Sequence, residues 1–406
     1  MHEPGALARK VLQEIRGGYW FIPGTLAAGA AALALALWWF QPEVIGWLPV
    51  GELTDDAARN LLTVIASSII GVTGVMFSLT LVAVTHAAGK YGPRLIGNFM
   101  RDRGNQWALG ILVATFVYAF TALVLADSSP DSVIQLTVLV ALGLTFLSVG
   151  TMIFYVHHVP ETVNVSNITA GLGERLTEQL RARIDRTEEA RASDGGANGS
   201  MPLPERDPDL ALAASGRGYI QTVAYDRLAE LARRRGAVMR IEARAGEFVH
   251  PRRTLLRIWG EMTEDEAREA LDRAVALGPE PTETQTPTFL ADQLVEMIGI
   301  ALSPGVNDPF TAVNCINWLA AALAEALVHR GGLRQPPSGR LHGDWLDFAA
   351  LYARTFPAAM PYLTDDRMAT EAAIRALEEL MTLPATIDRR ALLADLRLLR
   401  RAHAKT

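Results

Sequence analysis

The sequence predicts a membrane protein of two parts: an all-α region of four N-terminal transmembrane helices, then a cytoplasmic α/β and helical domain. Three observations carry this. Four apolar runs lie within residues 1–160, each about as long as the ~20 residues that a helix needs to cross a bilayer. None contains Lys, Arg, Asp or Glu. The strong bases between them gather on alternate connections. Half of the 406 residues are hydrophobic, yet the mean hydropathy is only slightly positive, so the apolar residues are segregated at the N-terminal end.

The runs are Phe21–Phe40, Leu61–Ala88, Trp107–Ala126 and Val133–Val156. The first exceeds a signal-peptide core and ends in Trp38, Trp39 and Phe40 instead of a small-residue cleavage site, so it reads as a retained span. Arg9, Lys10 and Arg16 precede it, and Lys90, Arg94, Arg101 and Arg103 connect spans two and three. The other two connections carry Glu43, Glu52, Asp55, Asp56, Asp127 and Asp131, with Arg59 as the one strong base. The positive-inside rule then places both termini in the cytoplasm.

Residues 161–188 read as a helix leaving the membrane, with a bend at Pro160. A Gly-, Ser- and Pro-rich linker follows over 192–208. Strands are expected at Gly218–Val223, Ala237–Arg244 and Thr254–Trp259, with a helix at Tyr225–Arg235 closed by Gly236. In the second strand Met239, Ile241 and Ala243 alternate with Arg240, Glu242 and Arg244. Thr263-Glu-Asp-Glu266 is a capping box whose helix should run to Gly278. Helices are also expected at Phe289–Leu302, from Asp308-Pro309 to His329, and over Asp344–Arg354, Asp366–Leu383 and Ile387–His403. The expected domains are therefore 1–160 (membrane), 161–209 (juxtamembrane helix and linker), 210–286 (α/β) and 287–406 (helical).

Met76-Phe-Ser-Leu-Thr-Leu-Val-Ala83, Tyr91-Gly-Pro-Arg94, Asn98-Phe-Met-Arg-Asp-Arg103, Ala114-Thr-Phe-Val-Tyr118 and Ala301-Leu-Ser-Pro-Gly-Val-Asn-Asp-Pro-Phe-Thr-Ala312 resemble a family of bacterial predicted membrane proteins, domain of unknown function 2254. The resemblance covers most of the chain. It implies the bacterial inner membrane and the four-span layout, and it supplies no reaction.

The chemistry must come from the residues. In the second span Asn60, Thr63, Ser67, Gly71, Gly74, Ser78 and Thr85 step by three, four or seven and so share one helix face. Two readings stay open. Small residues permit close helix packing, with Ser and Thr bonding across the seam; or the hydroxyls line water in a pore built from several copies. Lys90, Arg94, Arg101 and Arg103 serve either lipid phosphates or a cytoplasmic pore mouth. His157 and Glu161, four apart, suit helix-end roles better than a metal site. Asp308 and Pro309 are explained as helix-start residues, which leaves Ser303, Asn307 and Thr311 without a nearby base. No phosphate-binding glycine loop or zinc-hydrolase motif occurs, so neither an enzyme nor a cofactor is expected. The net charge of −6, mixed in sign, excludes a nucleic-acid partner. The single Cys315 excludes an intrachain disulfide and suits a reducing compartment. The expected partners are the lipid bilayer and further copies of the chain.

Overall fold

A computed structural model describes residues 19–40, 54–92, 102–126, 131–193, 201–329, 333, 339–384 and 389–404. Arg94, Arg101, the basic N-terminal tail, most of the two acidic connections and linker residues 194–200 lie outside these. The chain divides into two units, one ending at Asn167 and the other beginning at Ile168.

The first unit holds α1 (Phe21–Phe40), α2 (Asp55–Tyr91), α3 (Arg103–Leu125) and α4 (Asp131–Val163). Each is built on one of the uncharged apolar runs, and their ends carry the expected signals. Asp55 and Asp56 occupy the first turn of α2, where carboxylates favour the helix dipole. Asp102 caps α3 by accepting from the Asn105 backbone N–H at 2.8 Å. Helix α3 is central and packs against the other three. Its Tyr118 is fully buried and donates to the Thr137 carbonyl of α4 at 3.2 Å. Gly110 of α3 marks the close approach to α1: a Cβ there would sit 2.6 Å from Leu26 Cδ1 and 3.3 Å from Pro23 Cα. The outward faces expose Val64, Val75, Leu79, Phe120, Phe146 and Ile153. Apolar surface on that scale is suited to hydrocarbon. Pro160 lies inside helix α4. The helix continues to Val163, and the break falls at Asn164, whose side chain accepts from the Ser166 N–H that opens α5 (Val165–Ser193) at 2.9 Å.

In the second unit, Leu172, Leu176, Leu180 and Ile184 form the buried stripe of α5. The α/β part contains β1 (Leu210–Ala213), β2 (Gly218–Val223), α6 (Tyr225–Arg235), β3 (Val238–Ile241), β4 (Phe248–Val249), β5 (Thr254–Trp259), α7 (Glu264–Ala274) and β6 (Val275–Gly278). Gly236, at φ 63°, ends α6 in the left-handed conformation that glycine favours. Met239, Ile241 and Ala243 are buried, and their charged alternates are only half-buried. The capping box opens α7 as expected. The helix ends at Ala274, however, and not at Gly278. Val275–Gly278 pairs antiparallel with β2 (Ile220 opposite Leu277), because the ladder satisfies these backbone groups and buries Ala276. Asp209, just before β1, accepts from Arg206 and from the Gly260 N–H, and these bonds hold its carboxyl down at about 2.

The helical part contains α8 (Pro287–Ala301) and α9 (Pro309–Val328), then β7 (Leu341–Gly343), α10 (Phe348–Ala353), α11 (Phe356–Leu363), α12 (Arg367–Thr382) and α13 (Arg390–His403). Helix α10 starts after Asp347, not at Asp344, because the Asp347 carboxylate caps it. Strand β7 lies parallel to β3 and closes a sheet ordered β1-β5-β3-β7; β4-β2-β6 forms a second sheet. The helical part therefore contributes a strand to the α/β part.

Five helices among the described residues are long and apolar enough to cross a membrane: α1 to α4, and α9. Helix α9 packs against α8 and α12 and buries Cys315, Ile316, Leu319, Leu323 and Leu327.

Candidate functional site

The face of α2 chosen from the sequence is a single outward row. At about 100° per residue, Asn60, Thr63, Ser67, Gly71, Gly74, Ser78 and Thr85 fall within about 40° of one line along the helix. All seven are exposed. The opposite face, with Ala58, Leu62, Ile65, Ala66, Ile69, Thr73, Thr80 and Val84, is buried and packs against α3 and α4. A Cβ built at Gly71 or Gly74 would meet nothing within 4 Å. Within the protomer these glycines therefore bring no helices together; Gly110 does that. Three hydroxyls of the row donate back to their own helix: Thr63 to the Arg59 carbonyl at 2.8 Å, Ser67 to Thr63 at 2.7 Å and Thr85 to Leu81 at 2.7 Å. Such back-bonding lets a hydroxyl face lipid, protein or water at little cost.

Lys90 is exposed in the last turn of α2, and Arg103 is exposed at the first position of α3. A cation at a helix start opposes the dipole.

The structure also contains a second polar row that periodicity on α2 alone did not single out, because it points inward. Thr80 of α2 bonds Tyr155 of α4. Thr115 of α3 bonds Ser148 of α4 at 2.8 Å. Ser148, Thr151, Tyr155 and His158 share one face of α4, stepping by three and four. At its end His158 Nε2 lies 2.8 Å from Asp102 Oδ1, the carboxylate that caps α3, and its ring stacks on Phe154. Interhelical bonds of this kind contribute about 0.6 kcal/mol each on average in membranes. Asn105, one turn into α3, is fully buried, and neither atom of its amide has a hydrogen-bond partner among the described residues.

His157 and Glu161 are exposed, and no group of three metal-ligating side chains occurs among the described residues. In the 303–311 loop, Asp308 accepts from the Thr311 N–H at 3.2 Å and hydroxyl at 2.6 Å, and Ser303 donates to the Ile300 carbonyl at 2.6 Å. Asn307 adopts φ 48°, which admits Asn more readily than most residues. Capping accounts for this segment.

Long uncharged helices that bury polar rows inside and expose apolar faces outside define an integral membrane protein. The chain belongs to the family described as "Predicted membrane protein (DUF2254)", which matches residues 16–379. It is similar to an uncharacterised protein of Mycobacterium bovis, 28% identical over 335 residues, covering 77% of this chain and 61% of that protein. An uncharacterised protein of Mycobacterium tuberculosis gives the same figures. The match thus spans about three fifths of the length of these curated relatives. No solved structure matches.

Proposed function

We propose that the protein is an oligomeric inner-membrane channel for ions or small solutes, with α1 to α4 as its spans and the region after them in the cytoplasm for assembly or gating. The observation that carries this reading is the outward α2 row. Seven small or polar residues run along one exposed face of a span, and the protomer itself leaves Gly71 and Gly74 without neighbours. In one four-helix unit α3 packs against the other three helices and the row faces outward, so water along that row requires several copies around an axis. Lys90 and Arg103, with Arg94 and Arg101, then ring the cytoplasmic mouth or hold lipid phosphates. Their placement follows from the asymmetry of Lys and Arg, which puts both termini inside. The reading makes the protein a conductor, not an enzyme.

A second reading is a non-conducting scaffold or sensor in which the same row is a dry seam between copies. The back-bonded hydroxyls favour it, since they need no water. Conductance of the purified full chain in planar bilayers decides between them. Discrete currents, reduced when Gly74 is replaced by Leu, support the channel. Silence from a protein that is oligomeric in mild detergent favours the scaffold.

A further inference from the structure

Helix α5 carries several arginines, and two of them are matched. Arg175 pairs with Glu283 at 2.9 Å and Arg181 with Glu325 at 2.9 Å. Arg183 differs. It is half-buried, and its Nε is shut off from solvent with no hydrogen-bond partner. The charged and titratable groups acting on it are the Tyr225 phenol and two further cations, Arg186 and Arg244; no carboxylate among the described residues pairs with it. The two carboxylates of this corner go to Arg244, with Asp344 at 2.8 Å and Glu247 at 3.6 Å. Glu247 is also bound by Arg253. Arg183 therefore lies beside two further guanidiniums, Arg186 and Arg244, while Asp344 and Glu247 are engaged by Arg244 and Arg253. Tyr225, at the start of α6, meets Trp345 edge to face at 5.1 Å, and Trp345 packs in turn against Gly343 of β7. All of these groups belong to the second unit.

A guanidinium keeps its charge under any ordinary condition, and a buried charge without a counterion is costly. Burial pulls Arg183 below its usual value, with Arg186 and Arg244 pushing the same way and Tyr225 opposing. Nothing in the packing of α5 requires a cation here, since the stripe that seats the helix is leucine and isoleucine.

We propose that the corner formed by Arg183, Arg244 and Tyr225 is a binding site for a phosphate-bearing anion. The planar fork of an arginine matches phosphate oxygens two at a time, and the Tyr225 hydroxyl, beside both guanidiniums, is a further donor. The unpaired Arg183 beside the Arg244 guanidinium suits a phosphate monoester, which carries close to two negative charges at neutral pH. The phosphate can come from a soluble ester or from a lipid headgroup such as phosphatidic acid.

The test is thermal unfolding of the full chain in mild detergent, with chloride-matched ionic strength. The probes are inorganic phosphate, pyrophosphate and dihexanoyl phosphatidic acid. The wild type should unfold several degrees higher with at least one of them. Arg183→Gln should lose that rise and, without any probe, should unfold above the wild type, because an uncompensated charge has been removed. Arg181→Gln, on the same helix but paired with Glu325, should keep the rise. A larger response to the lipid probe assigns the site to a headgroup, and a larger response to pyrophosphate assigns it to a soluble ester. Equal rises in wild type and Arg183→Gln overturn the proposal, as does no rise with any probe. Should Arg183→Gln fail to fold, Arg183→Lys keeps the charge and loses the fork. At least tenfold weaker binding is then expected, and unchanged binding overturns the site.

Discussion

Two glycines in neighbouring spans should respond in opposite ways to the same enlargement. At Gly110 a first side-chain carbon already comes within 2.6 Å of Leu26 Cδ1 and 3.3 Å of the Pro23 backbone. Leu26 can rotate away; Pro23 Cα cannot. A leucine there adds three further carbons to the α1–α3 contact, and overpacking of this kind costs about 1–3 kcal/mol. For a unit of this size that lowers the unfolding midpoint by about 2–4 °C per kcal/mol. At Gly74 the first side-chain carbon meets nothing within 4 Å, and a substitution on an open face stays within about 0.5 kcal/mol. The assay is thermal unfolding of both variants in detergent at a dilution where the chain is monomeric. Gly110→Leu should fall and Gly74→Leu should not. Repeating the measurement at oligomer-forming concentration then separates the two readings: a dry seam between copies brings out a defect in Gly74→Leu, and a water-lined row leaves its stability unchanged. If the dilute Gly74→Leu protein is as destabilised as Gly110→Leu, the row is packed inside the protomer and the reasoning about α2 fails.

With Cys315 replaced, cysteines at Ser67, Gly74 and Ser78 should react with small hydrophilic thiol reagents if the row is wet, while one at the buried Ile69 should not; a dry seam predicts no labelling at any of the four. Asp102→Ala removes both the α3 cap and the partner of His158, and should destabilise by about 1–2 kcal/mol in the same unfolding assay. Asp308→Ala should cost the second unit about 1 kcal/mol by the loss of its cap on α9. Asp209, held down at about 2 by Arg206 and Gly260, contributes stability that is complete above the ordinary carboxylate value of about 4 and is lost as pH falls toward 2. Acid titration of Asp209→Asn should lack that component.

The long helices were readable because an uncharged run of 20 residues is a signal that few other structures share. One capping aspartate was readable too: Asp308 lies where the sequence put it, one residue before α9. The direction of a helix face was not. Thr73 and Thr80 of α2 repeat as regularly as Ser67 and Gly74, yet one pair is buried and the other exposed, and only the positions of α3 and α4 separate them. His158 and Asp102 are 56 residues apart, so no local pattern joins them. Val275–Gly278 continues the helical composition of α7 and becomes a strand only because β2 offers a free edge. Leu341–Gly343 is three residues long and has no periodicity to read. The Arg183 corner draws on α5, α6, the turn after β3 and the segment after β7, four stretches whose meeting belongs to the tertiary fold.

The back-bonded hydroxyls of α2 have a consequence for whatever touches them. A serine or threonine hydroxyl has one proton and two lone pairs. Thr63, Ser67 and Thr85 give that proton to their own helix, so the side turned outward offers lone pairs alone. Where these three hydroxyls of two identical copies meet, acceptor faces acceptor, and neither supplies a proton to the other. Joining these oxygens by a hydrogen bond takes a water molecule, which supplies two protons, or one copy must first surrender its internal bond; a dry seam leaves them unjoined. Thr63, Ser67 and Thr85 thus present bare oxygens, whose chemistry is set by what the neighbouring phase can donate.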